Sequence, residues 1–316
     1  MERTDERARS EAVVRKFGRV LLPLITAFKG NLSVDYALTR EVARFTVEHK
    51  LCDSVIVGGT TGEFYALSLD ERARLLEEVK KEVDDSVPLI AGTGSAFTNE
   101  AVDLTKIAQE VGYDAAMVVV PYYSHPEQDG IYEHFRTVAA STRLPVMIYN
   151  IPLFVGVNIT PQTVGRLSEI ENIVAIKDEA GLNPLQATAF INGSRWRLAV
   201  YSGDDTMVLQ VLTQGGVGVV SGGAHVVGDI IKTMIEEFLG GHIEKATTLY
   251  HCLMEVFTAF HGKDGRRTNP TPLVKAAFEM TSGLPTSTPR PPLTPATDDE
   301  RALLRRALRN LGKLQA

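Results

Sequence analysis

The chain has 316 residues, 44% of them hydrophobic, with 33 Lys and Arg against 39 Asp and Glu for a formal net charge of −6. That balance leaves no basic footprint for nucleic acid, and the apolar runs stop far short of the roughly 20 residues a membrane span needs. The two cysteines, Cys52 and Cys252, are too few for a disulfide framework. Together with a charged N-terminus lacking the apolar segment of a secretory signal, they point to the cytoplasm.

Short apolar runs alternate with amphipathic stretches. The first sixteen residues are polar and charged and read as a mobile or solvent-exposed helical extension. Arg19–Thr26 reads as a first strand and Ser33–Lys50 as a helix, with Leu38, Val42 and Phe45 on one face. Ser54–Gly59 is a second strand. Ser68-Leu69-Asp70-Glu71 then forms a capping box that opens a helix whose buried stripe is Leu69, Ala73, Leu76, Val79 and Val83. Leu89–Gly94 is the third strand, followed by a helix over Thr98–Val111 that Gly112 ends. Ala115–Val120, Val146–Ile151, Ile173–Asp178, Leu198–Ser202 and Gly216–Ser221 read as strands four to eight, separated by helical stretches. Further helices fall within Asp229–Gly241, Ile243–Gly262, Thr271–Thr281 and Asp298–Leu314, the last reached through an extended, Pro-rich surface segment, Leu284–Pro295.

Continuously apolar strands that alternate with helices imply a parallel sheet covered on its outside. Eight such units within a length that suits a barrel of about 250 residues imply an α/β fold, a (β/α)8 TIM barrel with additional C-terminal helices. A doubly wound open sheet is the competing arrangement. The expected division is an extension over residues 1–18, a barrel core over 19–223, and a last barrel helix with C-terminal helices over 224–316, packed on the same domain.

Barrel enzymes carry their chemistry at the C-terminal ends of the strands, and one residue there is anomalous. Lys177 lies in Ile173-Val174-Ala175-Ile176-Lys177, a run that should be buried, and lysine is seldom buried without a partner. Desolvation disfavours an ammonium, and a neutral amine at a barrel mouth can attack a ketone and form an imine. The plainer alternatives are an ion pair with Asp178 or Glu179, or a side chain that points outward. Tyr149 ends the neighbouring strand, where a phenol can relay protons or serve as an ordinary aromatic. Thr60 and Thr61 sit on a Gly-rich turn whose hydroxyls and amides suit a small carboxylate, or simply make the turn. The seven histidines show no metal-ligand spacing, no phosphate-binding Gly-Lys-Ser/Thr loop is present, and Asp204-Asp205 reads better as a helix N-cap than as a metal site.

Taken in order, Gly59-Thr60-Thr61-Gly62-Glu63, Tyr149-Asn150-Ile151-Pro152, Ile176-Lys177-Asp178, Ser202-Gly203-Asp204-Asp205 and Gly218-Val219-Val220-Ser221 resemble the motifs of the dihydrodipicolinate synthase/N-acetylneuraminate lyase family. The resemblance covers roughly residues 17–312 and extends to Asn269-Pro270 and Pro291-Pro292-Leu293-Thr294-Pro295. It implies a class I lyase that joins pyruvate to an aldehyde, or reverses that reaction, with Lys177 forming the imine. Tyr149 would be the general acid/base, with Thr60 and Tyr123 completing its relay. Thr61 would hold the pyruvate carboxylate, and Gly203 and Val220 would line the pocket by backbone. The family precedent also implies that Tyr123 reaches across a dimer interface in a homotetramer, and that neither a metal nor an organic cofactor is needed.

The sequence departs from the synthase pattern at one position. Phe154 stands where synthases carry an arginine associated with the carboxylate of the aldehyde substrate, and phenylalanine supplies no bidentate fork. This substitution favours a 2-keto-3-deoxy sugar-acid aldolase as an alternative to a synthase, a non-catalytic pyruvate-binding member being a further one. Phe64-Tyr65 follows Glu63 where lysine-regulated synthases carry polar residues, which implies no feedback by lysine.

Overall fold

The structure is a computed structural model that describes residues 2–181 and 183–315. Met1, at the start of the expected extension, lies outside the described residues. Eight strands follow one another in chain order around a closed barrel. They are β1 (Val20–Pro23), β2 (Ser54–Val57), β3 (Leu89–Gly92), β4 (Ala115–Val119), β5 (Val146–Asn150), β6 (Ile173–Asp178), β7 (Ala199–Ser202) and β8 (Gly218–Val220). An N-terminal helix, α1 (Glu2–Phe17), precedes them. Between strands lie α2 (Tyr36–Glu48), α3 (Leu69–Val83), α4 (Thr98–Val111), α5 (Gln128–Ala140), the short α6 (Pro152–Val155), α7 (Pro161–Ser168), α8 (Pro184–Gly193) and α9 (Val208–Thr213). After β8 come α10 (Ala224–Leu239), α11 (Ile243–Ala259), α12 (Thr271–Ser282) and α13 (Asp298–Asn310). This is the (β/α)8 barrel with C-terminal helices that the alternating pattern implies, and no open sheet.

Local chemistry sets the element ends. Ser68 accepts from the Glu71 amide at 3.1 Å while the Glu71 carboxylate accepts from the Ser68 amide at 3.0 Å, which completes the capping box of α3. Helix α4 runs over the residues expected and ends on Gly112 in the left-handed region, φ 91°. Helix α2 starts three residues later than its apolar pattern suggests, because the Asp35 side chain caps it by accepting from the Leu38 amide at 3.1 Å. Strand β2 stops short of Gly59 because Gly58, φ 81°, turns the chain. The buried face of α3 also differs from expectation. Leu69, in the first turn, is 43% exposed, and Arg72 is buried instead with its guanidinium 5.1 Å from the centroid of the Phe64 ring.

The chain divides into two compact units, Met1–Arg19 with Pro88–Val220, and Val20–Val87 with Ser221–Ala316. In the first, α1 is helical and exposed along one side as expected, but it is docked rather than mobile. The Arg9 guanidinium donates to the carbonyls of Ser168 and Ile170 at 3.2 and 3.1 Å and also to that of Glu171, while Val13 and Phe17 are buried. The Arg7 guanidinium lies over the Trp196 ring, and the Tyr201 hydroxyl donates to the Gly18 carbonyl at 2.8 Å. A few apolar side chains and one multiply bonded arginine therefore fix a helix that reads as solvated.

In the second unit the Pro-rich segment is anchored as well. Arg290 donates to both carboxylate oxygens of Glu71 at 2.7 Å and to the Leu32 carbonyl at 3.0 Å through Nε. Its amide donates to Glu63 Oε2 at 2.8 Å. Glu63 Oε1 accepts from Lys275 Nζ at 2.6 Å, and both of these side chains are fully buried. Lys275 also donates to the Thr288 carbonyl at 2.7 Å. Burial pushes the Lys275 ammonium below its ordinary range, with Glu63 opposing that shift. A buried ion pair is worth little against an apolar replacement of both members, but removing one member strands the other charge. Lys275→Met is therefore expected to destabilise the protein by about 3–5 kcal/mol. Lys275→Met combined with Glu63→Gln should recover part of that loss in equilibrium urea unfolding. Equal stability of the wild type and Lys275→Met would show that the pair carries no such weight.

Candidate active site

The register of β5 and β6 builds the centre of the site. Tyr149 pairs with Lys177 and Asn150 with Asp178. Registered residues on adjacent parallel strands face the same side, and successive residues face opposite sides. Tyr149 and Lys177 are therefore neighbours on one face. Lys177 Nζ lies 3.9 Å from the centroid of the Tyr149 ring, and both residues are buried, at 5% and 2% exposure.

Asn150 and Asp178 occupy the other face. Asn150 Nδ2 donates to Asp178 Oδ1 and to Asn158 Oδ1, each at 2.8 Å, and Gln186 Nε2 donates to Asp178 Oδ1 at 2.9 Å. Burial raises the Asp178 carboxyl to about 6, with the Asn150 and Gln186 hydrogen bonds working against that shift. This amide network excludes Asp178 as the partner of Lys177.

The partner is Glu179, two residues on and so on the same face as Lys177. Its Oε2 lies 2.9 Å from Lys177 Nζ and accepts from the Tyr149 hydroxyl at 2.7 Å. The Lys177 side chain is 6% exposed and that of Glu179 is 28% exposed. The ion pair that the sequence offered as the plain reading of Lys177 thus exists, but with an acid that opens to water. Glu179 was not among the site residues expected. A strand's period of two is the signal that would have found it.

Gly203 follows β7 and donates its amide to the Asp178 carbonyl at 2.7 Å. A Cβ there would lie 2.9 Å from Lys177 Cε and 2.6 Å from Glu179 Cβ, so only glycine lets the backbone approach the lysine this closely. Val220 is buried in β8. Phe154, in α6, is 36% exposed. Gly156, at φ 78°, lies against the His125 ring with no room for a side chain. Tyr123, two residues before His125, holds φ 71° and is 93% exposed. In the isolated chain its ring points into solvent, and its backbone sits in a region that bulky residues rarely adopt.

In the other unit, Thr60 and Thr61 occupy the turn that follows β2. The Gly62 amide donates to the Gly59 carbonyl at 3.0 Å and the Glu63 amide to the Thr60 carbonyl at 2.9 Å. Thr26 Oγ1 donates to the Gly62 carbonyl at 2.7 Å. Glu63 adopts φ 57° and is fixed by Lys275 and by the Arg290 amide, so the turn is held from beneath. Lys275 was missed as a support residue, although it stands in the apolar run Leu273-Val274-Lys275-Ala276-Ala277-Phe278. Thr61 Oγ1 faces Gly222, just beyond β8. Asp204 caps a short helical turn by accepting from the Thr206 amide at 2.8 Å, as its sequence setting suggested. Among the described residues no group of three His, Cys, Asp or Glu side chains is placed to hold a metal ion. No helix among them is long and apolar enough to cross a membrane.

The sequence matches the dihydrodipicolinate synthetase family over residues 16–311. A 4-hydroxy-tetrahydrodipicolinate synthase of Desulforudis audaxviator is 45% identical over 293 residues, which span 93% of this chain and 97% of that protein. One from Moorella thermoacetica is 39% identical over 95% of this chain and all of its own length. Among solved structures, a dihydrodipicolinate synthase of Bacillus anthracis superposes with a TM-score of 0.87 at 42% identity, covering 93% of this chain and 98% of that one. The synthase of Cyanidioschyzon merolae, solved with lysine bound, gives a TM-score of 0.88 at 39% identity, covering 94% and 99%. Relatives this similar carry the synthase name, so the sugar-acid aldolase alternative, which rested on Phe154, is not favoured. The chain belongs to the dihydrodipicolinate synthetase family and is a pyruvate-dependent lyase of the lysine Schiff-base type.

Proposed function

We propose that this enzyme condenses pyruvate with aspartate semialdehyde, as a 4-hydroxy-tetrahydrodipicolinate synthase, through an imine on Lys177. The observation that carries this reading is the buried Lys177 amine lying over the Tyr149 ring on registered strands, within a chain 45% identical to a synthase. Lys177 attacks the ketone carbon of pyruvate. The imine withdraws electrons from the adjacent methyl carbon, which loses a proton and attacks the aldehyde. The imine is the electron sink, so the reaction calls for no metal or organic cofactor.

Tyr149 is the general acid/base for the bound substrate, with Thr60 and Tyr123 serving the same proton transfer. Thr61 takes the pyruvate carboxylate on its hydroxyl and on the amides of its turn. Gly203 and Val220 line the site by backbone. The outward ring and left-handed backbone of Tyr123 suit a residue completed by a second copy of the chain. In this reading the enzyme works as a homotetramer, a dimer of dimers, in the cytoplasm.

Phe154 sets a quantitative expectation. It offers the aldehyde's carboxylate no charged partner, and one charge-assisted hydrogen-bonding partner is worth about 2 kcal/mol. Phe154→Arg is therefore expected to lower the KM for aspartate semialdehyde by about tenfold or more, leaving the KM for pyruvate within about twofold. Steady-state assays with both substrates varied check this. Turnover of 2-keto-3-deoxygluconate by the wild type, with no synthase rate at saturating aspartate semialdehyde, would contradict the proposal.

Phe64 is buried behind the turn and carries no polar group, and the Tyr65 hydroxyl is tied to Asn269 Nδ2, from which it accepts at 3.0 Å. Added L-lysine is expected to leave the synthase rate unchanged at millimolar levels, and saturable inhibition would contradict this.

A further inference from the structure

The roles assigned above leave out the carboxylate in direct contact with the reacting amine. We propose that Glu179 is a catalytic residue, the acid/base that takes a proton from the Lys177 ammonium and returns it to the departing oxygen during imine formation. This inference rests on the Schiff-base reading of Lys177 and assigns a step within it.

Four observations carry it. Lys177 Nζ and the Tyr149 hydroxyl converge on the same atom, Glu179 Oε2, at 2.9 and 2.7 Å. The Lys177 side chain is 6% exposed whereas that of Glu179 is 28% exposed, so the carboxylate connects the buried amine with water. The neighbouring acid, Asp178, faces the opposite side of the strand, where its Oδ1 accepts from Asn150 and Gln186, so it is turned away from the amine. Gly203 packs against both Glu179 Cβ and Lys177 Cε, confining the pair to this geometry.

The proton balance closes with these groups alone. Glu179 removes one proton from the ammonium, leaving a neutral amine beside a protonated carboxyl. The amine nitrogen forms a bond to the ketone carbon, and the carbonyl oxygen takes up a proton as the nitrogen loses one, giving a carbinolamine. Tyr149, sharing Oε2, can relay that transfer. Glu179 then delivers its proton to the carbinolamine hydroxyl, the carbon–oxygen bond breaks, and water leaves. The nitrogen lone pair closes the carbon–nitrogen double bond, so the product is a protonated imine facing an ionised Glu179. The two protons that left nitrogen depart in the water. The negative charge of Glu179 then stabilises the iminium, the form that withdraws electrons.

A static ion pair would hold Lys177 in place but take no part in proton transfer. The two roles separate in the rate at which the imine forms. The probe is pyruvate with borohydride quenching at timed intervals, followed by mass measurement of the intact protein. Glu179→Gln keeps the size and the hydrogen bond from Tyr149 but cannot accept the proton. It should form the trapped adduct about 10²-fold or more slowly than wild type, while reaching it at long times. Glu179→Ala should be comparably slow and should be accelerated by added formate, a small carboxylate that can occupy the vacated position. Adduct formation by Glu179→Gln within threefold of the wild-type rate overturns the assignment. So does a slow Glu179→Ala that formate leaves slow. Failure of the wild type itself to trap pyruvate would instead sink the underlying Schiff-base reading, so the two failures are distinguishable.

Discussion

The site depends on the register between β5 and β6, and that register depends on a single irregularity. Val146 pairs with Ile173 but Met147 pairs with Ala175, so one residue of β6, Val174, is skipped. A bulge of this kind shifts the phase of everything beyond it. Without the skip, Tyr149 would stand opposite Ile176, and Lys177 opposite Asn150. With it, Tyr149 faces Lys177 and the amide network of Asn150, Asp178, Asn158 and Gln186 is gathered on the opposite face. One bulged residue thus separates the chemistry from its support.

Two buried lysines show how exposure divides structure from function when the pairing is the same. Lys275 and Glu63 are both fully enclosed, and the remaining bonds of the pair go to the Thr288 carbonyl and the Arg290 amide. That pair is shut off from water and props the turn carrying Thr60 and Thr61. Lys177 is nearly as buried, yet its partner Glu179 reaches solvent and is shared with a phenol. A buried ammonium that must lose its proton needs an acceptor with a way out, and a clamp does not.

Much of this was legible in the sequence because it rests on local rules. The helix over Thr98–Val111 with its Gly112 cap, the Ser68 capping box and the strand over Ile173–Asp178 appear in the structure at the residues expected. Lys177 stood out because a charge interrupted a buried strand. What escaped notice depends on contacts distant in sequence. The docking of α1 rests on Arg9 meeting carbonyls some 160 residues away, and no periodicity encodes that. The anchoring of the Pro-rich segment rests on Arg290 reaching Glu71. Spacing puts Leu69 in the buried stripe, but spacing does not say how far a helix end projects. In the sequence Glu179 reads only as an ion-pair partner, because nothing local shows that the Tyr149 hydroxyl shares its carboxylate. Phe154 pulled the substrate assignment away from the synthases, and similarity over nearly the whole chain pulled it back.

The central claim is that Lys177, seated between the Tyr149 ring and the Glu179 carboxylate, is the atom that bonds pyruvate. A crystal of this protein soaked with pyruvate tests it most directly. Continuous density is expected from Lys177 Nζ to the ketone carbon, with Glu179 still against the nitrogen. An intact Lys177–Glu179 pair with pyruvate bound elsewhere, or density joining pyruvate to another residue, would contradict it.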